Sequence, residues 1–138
     1  MADVNDFNRA IIEEFRANEG RVGGPFEGAP VLLLTTTGAK SGQQRTTPVM
    51  YLPDGERMVV FASKGGAPSN PAWYHNLVAN PSAKVEVGSD AVDVNAVVTS
   101  GEERERLFRR QAERYPQFAD YAQKTTREIP VVALERDG

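Results

Sequence analysis

Hydrophobic residues follow two different periods along the chain, and the change between them divides it. From Asn5 to Glu19, Phe7, Ile11 and Phe15 recur every four residues, with Ala10 and Ile12 beside them. This spacing predicts an amphipathic helix, which Gly20 can close. Arg21 to Pro30 is rich in glycine and proline and reads as a loop. After it the helical period disappears. Val31–Thr37 is rich in β-branched residues and predicts a strand. Gly38 to Gly42 reads as a turn, and Arg45–Leu52 as a second strand. Pro53-Asp54-Gly55-Glu56 is a turn signal, and Arg57–Ser63 reads as a third strand, which completes a β-meander.

Lys64 to Asn70 reads as a Gly/Pro/Ser loop. Asn70-Pro71 has the form of a helix start, with Asn as N-cap and Pro in the first helical position. That helix carries Trp73, Tyr74, Leu77 and Val78 and stops near Asn80-Pro81. Lys84–Val87 and Ala91–Val98 predict a hairpin around Gly88-Ser89-Asp90. Ser100-Gly101-Glu102-Glu103 fits a capping box, opening a helix to about Arg114. Tyr115-Pro116 interrupts it, a shorter helical stretch follows to about Lys124, and Ile129–Glu135 is a final strand. Helices do not alternate singly with strands, which disfavours a doubly wound parallel sheet. Six mostly antiparallel strands with short turns predict an α+β fold built on a small barrel, which removes exposed sheet edges.

Composition narrows the chemistry. The 138 residues are expected to form one domain, residues 1–138. The chain has no Cys and one His, His75, which excludes thiol catalysis, Cys-ligated metal and a His-rich metal site. The net charge of -3 weakens any whole-surface case for nucleic acid or an anionic membrane. No apolar run approaches a membrane span, and the acidic N-terminus lacks the form of a signal peptide, so a soluble, cytoplasmic protein is expected. Charge is not evenly spread. Residues 31–81 carry four Lys/Arg against two Asp/Glu, an excess of +2, and the remainder carries -5. A small phosphorylated ligand therefore remains compatible with an acidic chain.

Three segments hold candidate chemistry. TTTGAKSGQQRTTP at Thr35–Pro48 has two cations, no acid, two glycines and six hydroxyl side chains. Such a set suits a phosphate or carboxylate, and equally a solvated hairpin turn. It is not a Walker A motif, because the spacing is wrong and a strand follows it. FASKGGAPSNPAWYHN at Phe61–Asn76 can turn backbone N–H groups and Lys64 toward a ligand, with Trp73 as an aromatic wall or as core. His75 reads as a helix-surface or core residue. Tyr115, Phe118 and Tyr121 are spaced to share one helix face. That stripe suits core packing, and its two phenols also suit a pocket that donates protons.

The three segments together resemble the deazaflavin-dependent nitroreductase family of actinobacteria. The resemblance is carried by LLTTTGAKSGQQRTTPVMY at Leu33–Tyr51, ASKGGAPSNPAWYHNLVANP at Ala62–Pro81 and RYPQFADYAQKTTREIPVVALE at Arg114–Glu135. It implies a split β-barrel of the FMN-binding type with flanking helices, and coenzyme F420 (an 8-hydroxy-5-deazaflavin) as cofactor. It also implies hydride transfer to a quinone, a nitroaromatic or a similar conjugated acceptor. By this resemblance Lys40, Ser41 and Arg45 hold the cofactor's phosphate and acidic tail, and Thr46, Thr47, Pro48, Val49 and Met50 continue that wall. Ala62, Ser63 and Lys64 meet the ring and tail, and Ala72, Trp73, Tyr74 and Asn76 lie on the neighbouring helix. Tyr115, Phe118 and Tyr121 border the substrate, and Ser63, Tyr115 and Tyr121 are the candidate proton donors. Related barrels are often homodimers.

The chain departs from the best-known nitroreductase of the family at three positions. Phe118 stands for a tyrosine, Met50 for an aromatic residue and Ala39 for a basic one. The resemblance therefore gives no ground for expecting the same bicyclic nitroimidazole to be activated. A non-catalytic F420 carrier or sensor and an FMN-binding barrel are the alternative readings. Glu13, Glu14 and Glu19 on the first helix argue against peripheral attraction to anionic lipid.

Overall fold

Val31, Leu32, Leu33 and Leu34 are consecutive and all buried. A strand achieves this only if both of its faces are covered. The computed structural model, which describes residues 4–22, 30–63, 70–125 and 128–136, shows how. The elements run α1 (Val4–Ala17), β1 (Val31–Thr37), β2 (Gln44–Asp54), β3 (Arg57–Phe61), α2 (Ala72–Ala79), β4 (Ser82–Val87), β5 (Asp90–Val98), α3 (Gly101–Arg114), α4 (Gln117–Lys124) and β6 (Val131–Arg136). The strands close into an antiparallel barrel in the order β1-β2-β3-β6-β5-β4. Leu32 and Leu34 point into the barrel with Val60, Val85, Val132 and Leu134, and Trp73 and Leu77 of α2 join that core. Val31 and Leu33 point outward under Ile11 and Phe15 of α1. A second outer cluster sets Leu107 of α3 and Phe118 of α4 on Leu52, Val59, Phe61 and Val131. The strand period of two thus feeds an inner core and an outer coat at once.

Most elements lie where the hydrophobic pattern puts them, and the differences have local causes. β6 starts at Val131 rather than Ile129, because Pro130 has no N–H to give a ladder and supplies its carbonyl to Ala62 N–H at 2.9 Å. Pro71, not Asn70, occupies the N-cap position of α2, at φ -67° and ψ 155°, an extended geometry that proline's fixed φ allows. Ser100 occupies the N-cap position of α3, but its side chain makes no cap hydrogen bond, so the expected capping box does not form. Glu103 instead reaches Arg57 Nη2 at 3.3 Å, a charge-assisted contact that competes with folding back onto the helix. Gly20 sits after α1 at φ 95° and donates to Phe15 O at 2.8 Å. A Cβ there would lie 2.8 Å from Gly88 Cα, so the close approach of this turn to the β4–β5 turn requires glycine at position 20. The loops expected over 21–30 and 64–70 fall largely outside the described residues, as do Lys64 and the Phe7 side chain. No helix among the described residues is long and apolar enough to cross a membrane.

One ion cluster ties α3 to the barrel. Asp54 accepts from Arg57 at 2.5 Å and from Arg110 at 3.0 Å, and Arg106 stands 3.8 Å away. The Arg57 hydrogen bond, helped by Arg110, holds the Asp54 carboxyl below the usual carboxylate range. A depressed carboxyl contributes stability above its unfolded pKa, and that stability is lost as pH falls through the folded value. Asp54→Asn is therefore expected to cost about 1 kcal/mol at neutral pH, given partial exposure. The gap to the parent chain should close in acid, below the carboxylate range. Urea unfolding at the two pH values measures this, and an equal gap at both would show that the charge is not responsible.

Candidate active site

The turn between β1 and β2 is built tightly. Gly38 N–H donates to Gln43 O at 2.8 Å, and Gly42 N–H to Gly38 O at 3.0 Å. Ser41 Oγ accepts from Gln43 N–H at 3.2 Å. A Cβ on Gly38 would lie 2.5 Å from Ser41 Oγ, so any side chain at 38 would displace that hydroxyl. The turn is then fastened to α2 by one side chain. Asn76 Nδ2 donates to Thr36 Oγ1 at 3.1 Å, and its Oδ1 accepts from Ala39 N–H at 3.0 Å. Trp73 and Leu77, in the barrel core, fix the helix that carries Asn76. A polar clamp therefore rests on an apolar anchor.

A cleft of about 1150 Å³ runs from this turn along β2. Lys40, Ser41, Arg45, Thr47, His75 and Asn76 line its polar part, and Val49, Met50, Phe61, Phe118 and Tyr121 its apolar part. Pro48, Ser63, Ala72 and Trp73 also face it. From Arg45 to Met50 the strand advances about 17 Å, at roughly 3.3 Å per residue. No carboxylate appears among the described lining residues, so none of them neutralises Lys40 or Arg45. The cleft can thus accept an anionic group at one end and a flat, apolar ring system toward the other. Its volume and this division suit a long phosphorylated cofactor, with Lys40, Ser41 and Arg45 at the charged end.

The sequence-based candidates divide on the structure. Lys40, Ser41, Arg45, Thr47, Pro48, Val49, Met50, Ser63, Ala72, Trp73, Asn76, Phe118 and Tyr121 all line the cleft. Four others lie elsewhere. Thr46 points away from its neighbours and pairs its Oγ1 with Thr35 Oγ1 at 2.8 Å. Ala62 is fully buried in the barrel core, and Tyr74 packs against that core, edge-on to His75. Tyr115 packs on the outer cluster at the end of α3. The expected stripe of Tyr115, Phe118 and Tyr121 on one helix face does not form as such. Tyr115 is the C-cap of α3, at φ -130° and ψ 87°, because Pro116 forbids the helix from running through it. Phe118 and Tyr121 do share a face of α4, with ring centroids 5.3 Å apart.

Other lining residues lie within two of the candidate segments, where the sequence reading assigns them no binding role of their own. Thr36, Gly38, Ala39, Phe61 and Pro71 belong to the wall, and His75 lines it from an exposed position on α2. The period of two could have found Thr36, which continues the inward series Leu32, Leu34. Nothing in the local pattern separates Phe61 from a plain core residue. It is 4% exposed and lies edge-on to Phe118 at 5.8 Å and Phe108 at 6.1 Å, beneath the cleft floor.

Comparison with known proteins places this geometry. The family model for F420H(2)-dependent quinone reductase matches residues 7–136. An F420H(2)-dependent quinone reductase of Mycobacterium tuberculosis is 43% identical over 129 residues, covering 88% of this chain and 85% of that protein. The solved F420-H2 dependent reductase FDR-A is 44% identical with a TM-score of 0.71, over 77% of this chain and 94% of that one. A second solved chain, described as a domain-swapped dimer, is 38% identical with a TM-score of 0.73, over 96% and 100% of the two chains. The heme storage protein of Vibrio cholerae, 15% identical at a TM-score of 0.62, shares the split-barrel fold alone. A basic turn opposite an aromatic wall, on a barrel matched along nearly its whole length, leaves one assignment: this chain belongs to the F420H(2)-dependent quinone reductase family.

Proposed function

We propose that this protein uses reduced coenzyme F420 to reduce a quinone or a similar conjugated acceptor in the cleft along β2. The observation that carries this reading is the family match across residues 7–136, which spans every element of the cleft. Bound F420H2 supplies a hydride. Everything else is the work of side chains. Lys40 and Arg45 attract the cofactor's phosphate and acidic tail, and Ser41 and Thr47 add hydroxyl groups beside them. Asn76 positions the turn by its two hydrogen bonds, so the cations are presented rather than left to wander. Val49, Pro48 and Trp73 wall the ring, and Lys64, beside Ser63 in sequence, adds charge at the tail.

The acceptor gains negative charge on an oxygen as it is reduced, and a donor there lowers the barrier. Ser63 and Tyr121 are the proposed donors, since both line the cleft. Tyr115 supports them from the end of α3, and Phe118 and Met50 give the acceptor an apolar wall. Tyr121→Phe is expected to lower kcat/KM for a quinone by about tenfold to hundredfold, below the loss typical of a sole oxyanion donor because Ser63 remains. F420 affinity should be unchanged. A loss of cofactor affinity with intact turnover would remove Tyr121 from this role.

The function itself is tested by anaerobic mixing of the protein with F420H2 and a water-soluble naphthoquinone. Quinone-dependent oxidation of F420H2, faster than without protein, is the expected result. Tight cofactor binding with no acceleration by any quinone or nitroaromatic would mean a carrier or sensor instead. The similarity to a domain-swapped dimer supports a homodimer as the working assembly, which light scattering on the purified protein checks.

A further inference from the structure

Gln111 is fully buried, and neither its amide nitrogen nor its amide oxygen has a hydrogen-bond partner among the described residues. It lies on the buried stripe of α3 with Arg104 and Leu107. The other polar member of that stripe is satisfied, since Arg104 donates to Ile129 O at 2.8 and 3.2 Å. An unpaired buried amide is unfavourable, and an apolar side chain of similar size would serve packing better. Gln111 also stands next to the joint with α4. Its backbone carbonyl accepts from Tyr115 N–H at 2.8 Å, and Pro116 follows.

Helix α4 is a short cover on that joint. It has eight residues and no side-chain cap, and Phe118 is its one buried residue. Phe118 and Tyr121 are also its contributions to the cleft wall. Displacing α4 would therefore withdraw one anchoring side chain from the outer cluster that holds Leu107, Phe108 and Ala112 of α3, the turns of α3 on either side of Gln111.

We propose that α4 is a flap hinged at Tyr115-Pro116, and that the Gln111 amide is the hydrogen-bonding group it uncovers for the acceptor's oxygen. The chemistry of an amide suits a quinone in both of its states. Its N–H donates to the carbonyl of the quinone, and its oxygen accepts from the hydroxyl of the quinol. The unpaired amide biases the closed flap toward opening, and the acceptor supplies the missing partner. This rests on the quinone-reductase reading for the identity of the acceptor, though not for the flap.

The test compares the parent chain with Gln111→Met, and with Gln111→Leu as a second apolar replacement. Amide hydrogen exchange over residues 117–124 is followed without cofactor, then with oxidised F420 and with oxidised F420 plus the naphthoquinone. Slower α4 exchange in the variants, by about tenfold or more, is expected in every condition, together with a raised thermal midpoint. Addition of the naphthoquinone should change α4 exchange in the parent and not in the variants. Their KM for the quinone should rise about tenfold while F420 affinity stays the same. A raised midpoint with unchanged α4 exchange and unchanged KM would overturn the proposal and make Gln111 a defect of the core. Because the exchange comparison without cofactor needs no turnover, the flap is decided even if the protein fails to oxidise F420H2.

Discussion

Replacing Lys40 and Arg45 together by alanine is expected to weaken F420 binding by about a hundredfold or more. Hydrogen bonds to charged groups contribute about 1.5–3 kcal/mol each. Two of them lost from one anionic site amount to roughly two to four powers of ten at about 1.4 kcal/mol per decade. Exposure of both side chains pulls the figure toward the lower end. Each single variant should lose about tenfold, and the loss should shrink as salt is added, because screening weakens the same attraction in the parent. The fold should be untouched. Neither residue belongs to a core cluster, and the turn is held by Gly38, Ser41 and Asn76. Fluorescence titration at low and high salt measures the effect. Unchanged affinity in the double variant would put the anion site elsewhere.

Phe61→Ala is expected to damage stability and acceptor turnover together. The ring is nearly inaccessible and touches Phe108 and Phe118 edge-on. Truncating a buried phenylalanine costs about 3–5 kcal/mol in lost transfer energy and residual cavity. The cavity would open directly beneath Phe118, which in turn supports Tyr121. Quinone kcat/KM should therefore fall in the fraction that remains folded, while F420 affinity, set at the far end of β2, should change less. Phe61→Leu keeps most of the volume and should lose less than about 1.5 kcal/mol. Urea unfolding gives the first number and kinetics in the folded range the second. Full acceptor turnover in a destabilised Phe61→Ala would separate the floor of the cleft from its function.

The barrel was legible in the sequence because its strands are short, rich in Val and Thr, and punctuated by Gly, Pro and Asp. The basic turn was legible because an acid-free run with Lys40, Ser41 and Arg45 is unusual within an acidic chain. What could not be read is side-chain parity across the closed sheet. Thr46 and Thr47 are adjacent and chemically identical, yet one lies in the cleft and the other pairs with Thr35. Only the register of β1 on β2, which sets Thr35 opposite Thr46, decides between them. Tyr115 was misplaced for a related reason. Its spacing from Phe118 and Tyr121 suits a continuous helix, but the backbone turns at Pro116 before the second helix begins. The clamp by Asn76 joins residues forty and thirty-seven positions away. No local pattern carries such a contact, because it exists only once α2 is seated in the barrel mouth. Phe61 was hidden because core and cleft floor ask for the same side chain.

The proposed role of Lys40 and Arg45 is to hold coenzyme F420 in the cleft along β2. Equilibrium titration of the purified protein with F420, and separately with FMN, addresses it most directly. The expected result is saturable binding of one F420 per chain, tighter than FMN, weakened by salt and nearly abolished in the Lys40→Ala, Arg45→Ala double variant. No binding at tens of micromolar F420, or equal affinity in the double variant, would contradict it.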